Sequence, residues 1–342
     1  MKNIFAGFTL LFAAFLLLCC LAPFIPVQYA PFLPFLSLTA PLFIIANIAA
    51  FVYCIIARLR LAWLSLAALL LGYAILGAFY KFGNPGERAP DGALSVMSYN
   101  IRGFDRYNFF RGDHVEEGII SLVEREDPDI VCFQEFDYTK SKYFNQYPYR
   151  FVNYIFPKER HVVQAIFSKY PIVGKGSLDF PNSANNAIFA EILYKEDTLR
   201  IYNIHLQSFR IVPSRRMLRH MATGVFYNRI SATFVKQQEQ AELIRQHIAS
   251  TSSKTILCGD LNNTQYSRVY KMVKGNMNDS YEEKGRAYGT TYKLKFLPFR
   301  IDAIMADSTL EVVSHRNFDI RLSDHYPLMA SFRLKGTGSN SP

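Results

Sequence analysis

Three long apolar runs, at roughly 4–24, 35–57 and 61–80, open the chain, and after Lys81 the pattern changes to short apolar runs separated by polar turns. Each early run has about the 20 residues that a helix needs to cross a ~30 Å hydrocarbon core. The first break carries Pro23, Pro26, Pro31 and Pro34 and the second carries Arg58 and Arg60, residues that end helices or seek water. This pattern predicts three transmembrane helices within an anchor over 1–81. A cleaved signal peptide would account for Lys2 and the first run, but not for two more runs with no soluble segment between them. Lipidation at Cys19 or Cys20 wants a small residue just before the cysteine, where Leu18 and Cys19 stand.

Downstream, strand-type runs at 95–101, 129–135, 165–172, 187–194, 199–206, 255–261, 301–307 and 326–334 alternate with helical patterns at 114–126 and 234–249. That alternation predicts one large α/β domain over 94–335. Between anchor and domain, 82–93 is rich in Gly, Pro and charge and reads as a linker. The last residues, 336–342, read as a disordered tail. Cys132 and Cys258 lie inside apolar strands and read as small core residues.

Charge sharpens the division. The first 81 residues carry four cations (Lys2, Arg58, Arg60, Lys81) and no acid, so of the net charge of +10 about +6 belongs to the remainder. Lys and Arg near span ends favour the cytoplasmic side. Lys2 and the Arg58/Arg60 loop are then inside, the uncharged 23–34 turn is outside, and three spans deliver the domain to the extracytoplasmic face of the plasma (inner) membrane. Lys81 and Arg88 offer positive charge on the opposite side and weaken that orientation. The stretch 209–238 adds Arg210, Arg215, Arg216, Arg219, Arg229 and Lys236 among Phe209, Met217, Met221, Phe226, Tyr227 and Phe234. It suits a nucleic-acid backbone, an anionic lipid surface, or a solvated face whose apolar residues pack on the domain.

Five segments put Asn, Glu, His or Asp directly after apolar strands: MSYNIRGFD (97–105), IVCFQEFD (130–137), NIHLQS (203–208), LCGDLNN (257–263) and LSDHYP (322–327). Glu135 is a hard oxygen ligand at a strand end, suited to Mg²⁺ or Mn²⁺. Asp260 and Asn262, two residues apart, can point into one cleft, although an Asx turn closing the strand would use the same residues. With RIDAI (300–304) between the last two, the set resembles the endonuclease/exonuclease/phosphatase superfamily over about 94–334. The resemblance implies a four-layer α-β-β-α sandwich and a metal-dependent phosphoester hydrolase. It implies that Glu135 is the principal metal ligand, with Asn100 close by and Asp324 as a further member of the shell. Asp260 would orient or deprotonate the attacking water while Asn262 steadies it or a phosphate oxygen. His325, hydrogen-bonded by Asp302, and His205 would contact phosphate, His205 also serving as leaving-group acid. Arg102 stands where some nucleases carry an acidic second metal ligand, and a guanidinium there binds phosphate rather than Mg²⁺. The remaining histidines, His114, His161, His220, His247 and His315, have no motif around them.

The reading that follows is a membrane-anchored, Mg²⁺-dependent phosphodiesterase or phosphatase for a lipid-related or other small phosphoester. One alternative is an extracytoplasmic endonuclease or exonuclease acting on DNA. Another is a catalytically retired lipid- or nucleotide-binding module.

Overall fold

The computed structural model describes residues 2–83, 91–106, 114–154, 162–209, 224–294 and 297–335. Two compact units divide the chain, one of Met1–Tyr80, Phe209–Glu242 and Asn263–Val273, the other of Lys81–Ser208, Leu243–Asn262 and Lys274–Pro342.

In the first unit, helices α1 (Lys2–Leu21), α2 (Leu33–Ile56) and α3 (Ala62–Leu76) pack together. Two of them are long and apolar enough to cross a membrane, over Ile4–Leu21 and Leu33–Ile56. The third apolar run gives a helix of 15 residues, about 22 Å at 1.5 Å per residue and short of the ~30 Å a span needs. Gly77 stops it with a φ of +82° that other residues adopt at a cost. The three expected spans are therefore reduced to two helices of spanning length and one shorter apolar helix. Buried Asn47 donates from Nδ2 to the Phe12 carbonyl across α1 and α2 at 2.8 Å, so its NH2 group is not stranded among apolar side chains.

The same unit holds two segments remote in sequence. Ile230 and Phe234, on the helix Gly224–Ala249, are buried with Val27, and the Phe35 and Tyr227 rings stack at 5.2 Å. Gln238 Oε1 accepts from the Val27 N–H at 3.1 Å, an amide left without a helical partner by the Pro-rich turn. Tyr266 is fully buried among Leu16, Cys19, Cys20, Ala40 and Leu76, and Arg268 donates to the Phe24 carbonyl at 2.7 Å.

The second unit contains two six-stranded sheets. One has the order β13-β14-β1-β2-β4-β3, with β1 Leu94–Asn100, β2 Ile130–Asp137, β3 Tyr149–Val152, β4 Val162–Ser168, β13 Leu310–Asn317 and β14 Leu328–Leu334. The other has the order β5-β6-β7-β8-β12-β9, with β5 Ile172–Asp179, β6 Asn186–Tyr194, β7 Asp197–His205, β8 Lys254–Asp260, β9 Asn278–Asp279 and β12 Asp302–Ala306. A hairpin joins β10 (Tyr292–Leu294) to β11 (Leu297–Phe299). Only β1/β2 and β7/β8 pair in parallel among the described strands.

Strand alternation explains the layers. Val96, Ile130, Cys132 and Ile166 of the first sheet face Ile188, Ile201, Ile256, Cys258 and Ile304 of the second in one core. The intervening Met97, Tyr99, Val131 and Phe133 point the other way, onto Val115, Ile119, Leu122 and Val123 of the helix Val115–Glu126. On the second sheet, the Tyr202 hydroxyl meets Nδ1 of His247, on the last turn of the long helix, at 2.7 Å. Cys132 and Cys258 are buried free thiols.

Candidate active site

Strand register brings distant motifs into one row. On the second sheet Asp260 lies opposite His205 of β7 on one side and Asp302 of β12 on the other. The glycine before Asp260 is needed for that closeness: Gly259 has a φ of +139°, and a Cβ there would stand 2.0 Å from the Ile204 carbonyl oxygen. On the first sheet Asn100 ends β1 opposite Gln134, and the β2/β4 register slips between Phe133 and Phe136. Glu135 sits in that bulge with a φ of +51°. A bulge re-aims the side chain it contains, and it takes Glu135 out of the regular alternation.

Asp260 is the hub. Its carboxylate accepts from the Asn262 backbone at 2.7 Å, from Asn262 Nδ2 at 3.2 Å and from Asn100 Nδ2 at 3.0 Å. Nε2 of His205 and Nε2 of His325 each stand 3.6 Å from its Oδ2. Burial raises the Asp260 carboxyl, with Asp302 adding and the two imidazoles opposing, to about 6. His325 Nδ1 lies 2.9 and 3.1 Å from the two Asp302 oxygens. Burial pulls this imidazole down, but Asp302 and Asp260 outweigh it and hold it up at about 10. His205 shifts the other way: burial lowers it more than Asp260 raises it, and its buried Nε2 has no hydrogen-bond partner among the described residues. At neutral pH His325 is therefore a cation and His205 is neutral.

Glu135 Oε1 is 3.8 Å from His205 Nε2. Burial and Asp324 push its carboxyl up, while His325, Asn100 and Arg102 hold it down. Just after Asn100 the backbone winds left-handed, with φ of +47°, +65°, +58° and +58° at Arg102, Gly103, Phe104 and Asp105. An L-residue there costs roughly 1–2 kcal/mol, and three of these four are not glycine. The turn carries Arg102 Nη1 to 3.0 Å from Asp324 Oδ2. The donor set fits a hard divalent cation: carboxylate and amide oxygens from Glu135, Asp324 and Asn100, in a corner whose burial disfavours a bare carboxylate. A second cluster, Asp260, Asp302 and His325, offers ligand atoms within 4.8 Å of one another, but those atoms hydrogen-bond among themselves and to Asn100 and Asn262.

Nine residues expected from sequence thus converge: Asn100, Arg102, Glu135, His205, Asp260, Asn262, Asp302, Asp324 and His325. The Asx turn weighed for Asp260 also forms, through the Asn262 N–H, so turn and site are one arrangement. Three neighbours went unread. Thr291 Oγ1 accepts from the N–H groups of Ile301 and Asp302 at 3.0 Å, fixing the start of β12. Tyr292 pairs with His325 as an isolated bridge, their rings 5.0 Å apart. Ser323 Oγ donates to the Asn100 carbonyl at 2.8 Å and so ties the segments of Asn100 and Asp324 together. Thr291 and Tyr292 come from a stretch without recognisable periodicity. Of the basic stretch 209–238, residues 210–223, with Arg210, Arg215, Arg216, Arg219 and His220, lie outside the described residues, as does His161. Phe209, Tyr227 and Phe234 are packed with other rings. His315 is bound to Ser280 and Asn317, a structural arrangement.

Comparison with known proteins agrees with this geometry. The profile of the endonuclease/exonuclease/phosphatase family matches residues 97–325, two thirds of the chain, and a domain of unknown function matches residues 2–79. No curated protein matches by sequence. Among solved structures, Danio rerio TDP2 with a single-strand DNA product is 16% identical, covering 71% of this chain and 100% of its own at a TM-score of 0.53. The human nocturnin catalytic domain with bound sulfate is 19% identical, covering 71% and 94%, also at 0.53. A mannosyl-6-phosphatase from Bacteroides thetaiotaomicron is 18% identical, covering 70% and 100%, at 0.51. These likenesses establish the fold, and the profile match establishes the family: the chain belongs to the endonuclease/exonuclease/phosphatase family of metal-dependent phosphoester hydrolases.

Proposed function

We propose that the chain is a membrane-anchored phosphoesterase acting with Mg²⁺, or alternatively Mn²⁺, on a lipid-related or other small phosphoester. The carrying observation is Asp260 between two imidazoles, each 3.6 Å from it, one of them locked to Asp302. Asp260, raised toward neutrality by burial, takes the proton of the attacking water while the Asn262 amide steadies it. His325, held protonated, donates to the phosphate oxygens as their charge grows. His205, neutral and without a hydrogen-bond partner at Nε2 among the described residues, is a phosphate contact; its lowered proton affinity speaks against service as leaving-group acid before substrate arrives. Arg102 adds a fixed cation for phosphate. A divalent cation at Glu135, with Asn100 and Asp324 beside it, would polarise a phosphoryl oxygen.

The anchor supports the location. Only 28% and 22% of the two span windows is buried within the protein, leaving Phe8, Leu11, Leu42, Ile48 and Val52 exposed. That is the exposure of helices solvated by lipid, not of a soluble core. The far end of α3, Leu76, packs with Cys19, Cys20 and Ala40 at the C-terminus of α1 and the N-terminus of α2, away from Arg58 and Arg60. This supports an extracytoplasmic catalytic domain in the plasma (inner) membrane. A phosphatase reporter joined after Leu94 should be active only outside, and a fluorescent cytoplasmic reporter lighting at that junction would reverse the orientation.

The test of activity is a phosphoester panel with the full chain in detergent, with and without Mg²⁺. Glu135→Gln should lose metal dependence, and His325→Ala should keep metal binding but lose about 10²–10³ in kcat. Near-parental turnover in either folded variant means that this site is not the catalyst. Hydrolysis of a headgroup phosphoester in vesicles supports the lipid reading; efficient plasmid nicking instead favours the nuclease.

A further inference from the structure

The corner of the site assigned above to the metal already contains a cation. We propose that Arg102 takes the place of a second metal ion, so that the site accepts one divalent cation and works with a metal-plus-guanidinium pair. The inference rests on the hydrolase reading and narrows it.

Three observations carry it. First, the backbone is bent against its preference to put Arg102 where it is: it opens the left-handed turn that begins two residues after Asn100. A surface arginine would need no such turn. Second, that turn already engages the oxygens beside Glu135, which leaves few for any ion beyond one. Arg102 Nη1 holds Asp324 Oδ2 at 3.0 Å, Ser323 Oγ donates to Asp324 Oδ1 at 3.2 Å, and the Arg102 N–H donates to Asn100 Oδ1 at 3.2 Å. Glu135, 3.8 Å from His205 Nε2 and hydrogen-bonded by Asn100, has the loosest ion pair of the site's carboxylates among the described contacts. Third, the other candidate cluster is closed from within, Asp302 by His325 and Asp260 by Asn100 and Asn262. Two divalent ions about 3.5–4 Å apart each need oxygen ligands of their own. Here Glu135 alone is held only loosely by a basic side chain among the described contacts, and a guanidinium, permanently charged and unable to ligate, stands beside it.

A Mn²⁺ titration of the full-length chain in detergent, read by electron paramagnetic resonance of the free ion, tests this without reference to turnover. The parent should bind one equivalent and Arg102→Lys likewise one. Arg102→Asp removes the guanidinium and sets a carboxylate beside Asp324, at a φ that Asp tolerates better than Arg, and should bind two. Two equivalents on the parent, or one on an Arg102→Asp variant that melts like the parent, overturns the inference and leaves the hydrolase reading intact. No binding by the parent at millimolar Mn²⁺ would remove the metal reading beneath it. Should Arg102→Asp fail to fold, Arg102→Asn gives the second measurement: relieved of the cation, the single site should bind Mn²⁺ about tenfold more tightly. An unchanged or weaker Kd there also overturns the inference.

Discussion

Asp260 and His325 share one buried space yet stand on either side of neutrality: burial lifts Asp260 to about 6, while Asp302 and Asp260 hold His325 at about 10 against the pull of burial. Catalysis with Asp260 ionised and His325 protonated should give a kcat profile that rises near pH 6 and stays level until well above pH 8. Asp302→Asn removes the largest support for the imidazolium, so its alkaline limb should move down toward pH ~6.5. At pH 8 the variant should then lose about ten- to a hundredfold in rate, with little loss at pH 6. An unmoved alkaline limb would assign it to some other group. Stability follows with a definite sign: a histidine raised on folding contributes fully below its unfolded pKa, and the contribution is lost as pH rises through about 10. At this scale much was legible, because a carboxylate or imidazole after an apolar strand declares itself in sequence. Charge states were not, since they depend on which strands become neighbours. Nor was the Arg102–Asp324 pair, because nothing local to Arg102 indicates that Asp324 lies beside it.

Elements matter through how they end. β7 and β8 run parallel and so close at Gly259 that even a methyl group has no room, and this proximity sets His205 against Asp260. Gly259→Ala should cost about 2–4 kcal/mol, from overpacking and backbone strain together. Thermal melting is the measurement, and a variant within about 0.5 kcal/mol of the parent would mean that the strands can part freely. Alternating residues made most strands readable. Two features escaped, each for a physical reason. The bulge at Glu135 leaves no mark in the pattern, since Phe133 and Phe136 are both buried across it. The short α3 was read as a full span because an apolar count continues through Gly77 to Tyr80, whereas the backbone turns at the glycine.

Over the whole molecule, composition suggested an anchor on a linker, but the helical unit also contains Phe209–Glu242 and Asn263–Val273. No local pattern announces that partnership, which depends on burying Ile230, Phe234 and Tyr266. Such side chains each contribute about 1.5–3 kcal/mol when buried. A chain lacking residues 1–80 would expose them, and it should aggregate or bind a hydrophobic dye strongly. Polar replacements at Tyr227, Ile230 and Phe234 should reduce that dye binding. A shortened chain that is monomeric and does not bind dye would show that those contacts are dispensable. The unit also has a schedule. Leu16, Cys19 and Cys20 leave the ribosome early, while Tyr266, which packs on them, comes far later. At about 5–20 residues per second, on the order of 10–40 s separate the synthesis of α3 from that of Tyr266. Until then the helices have no ring to close around, and the completed bundle records that most of the chain has been made.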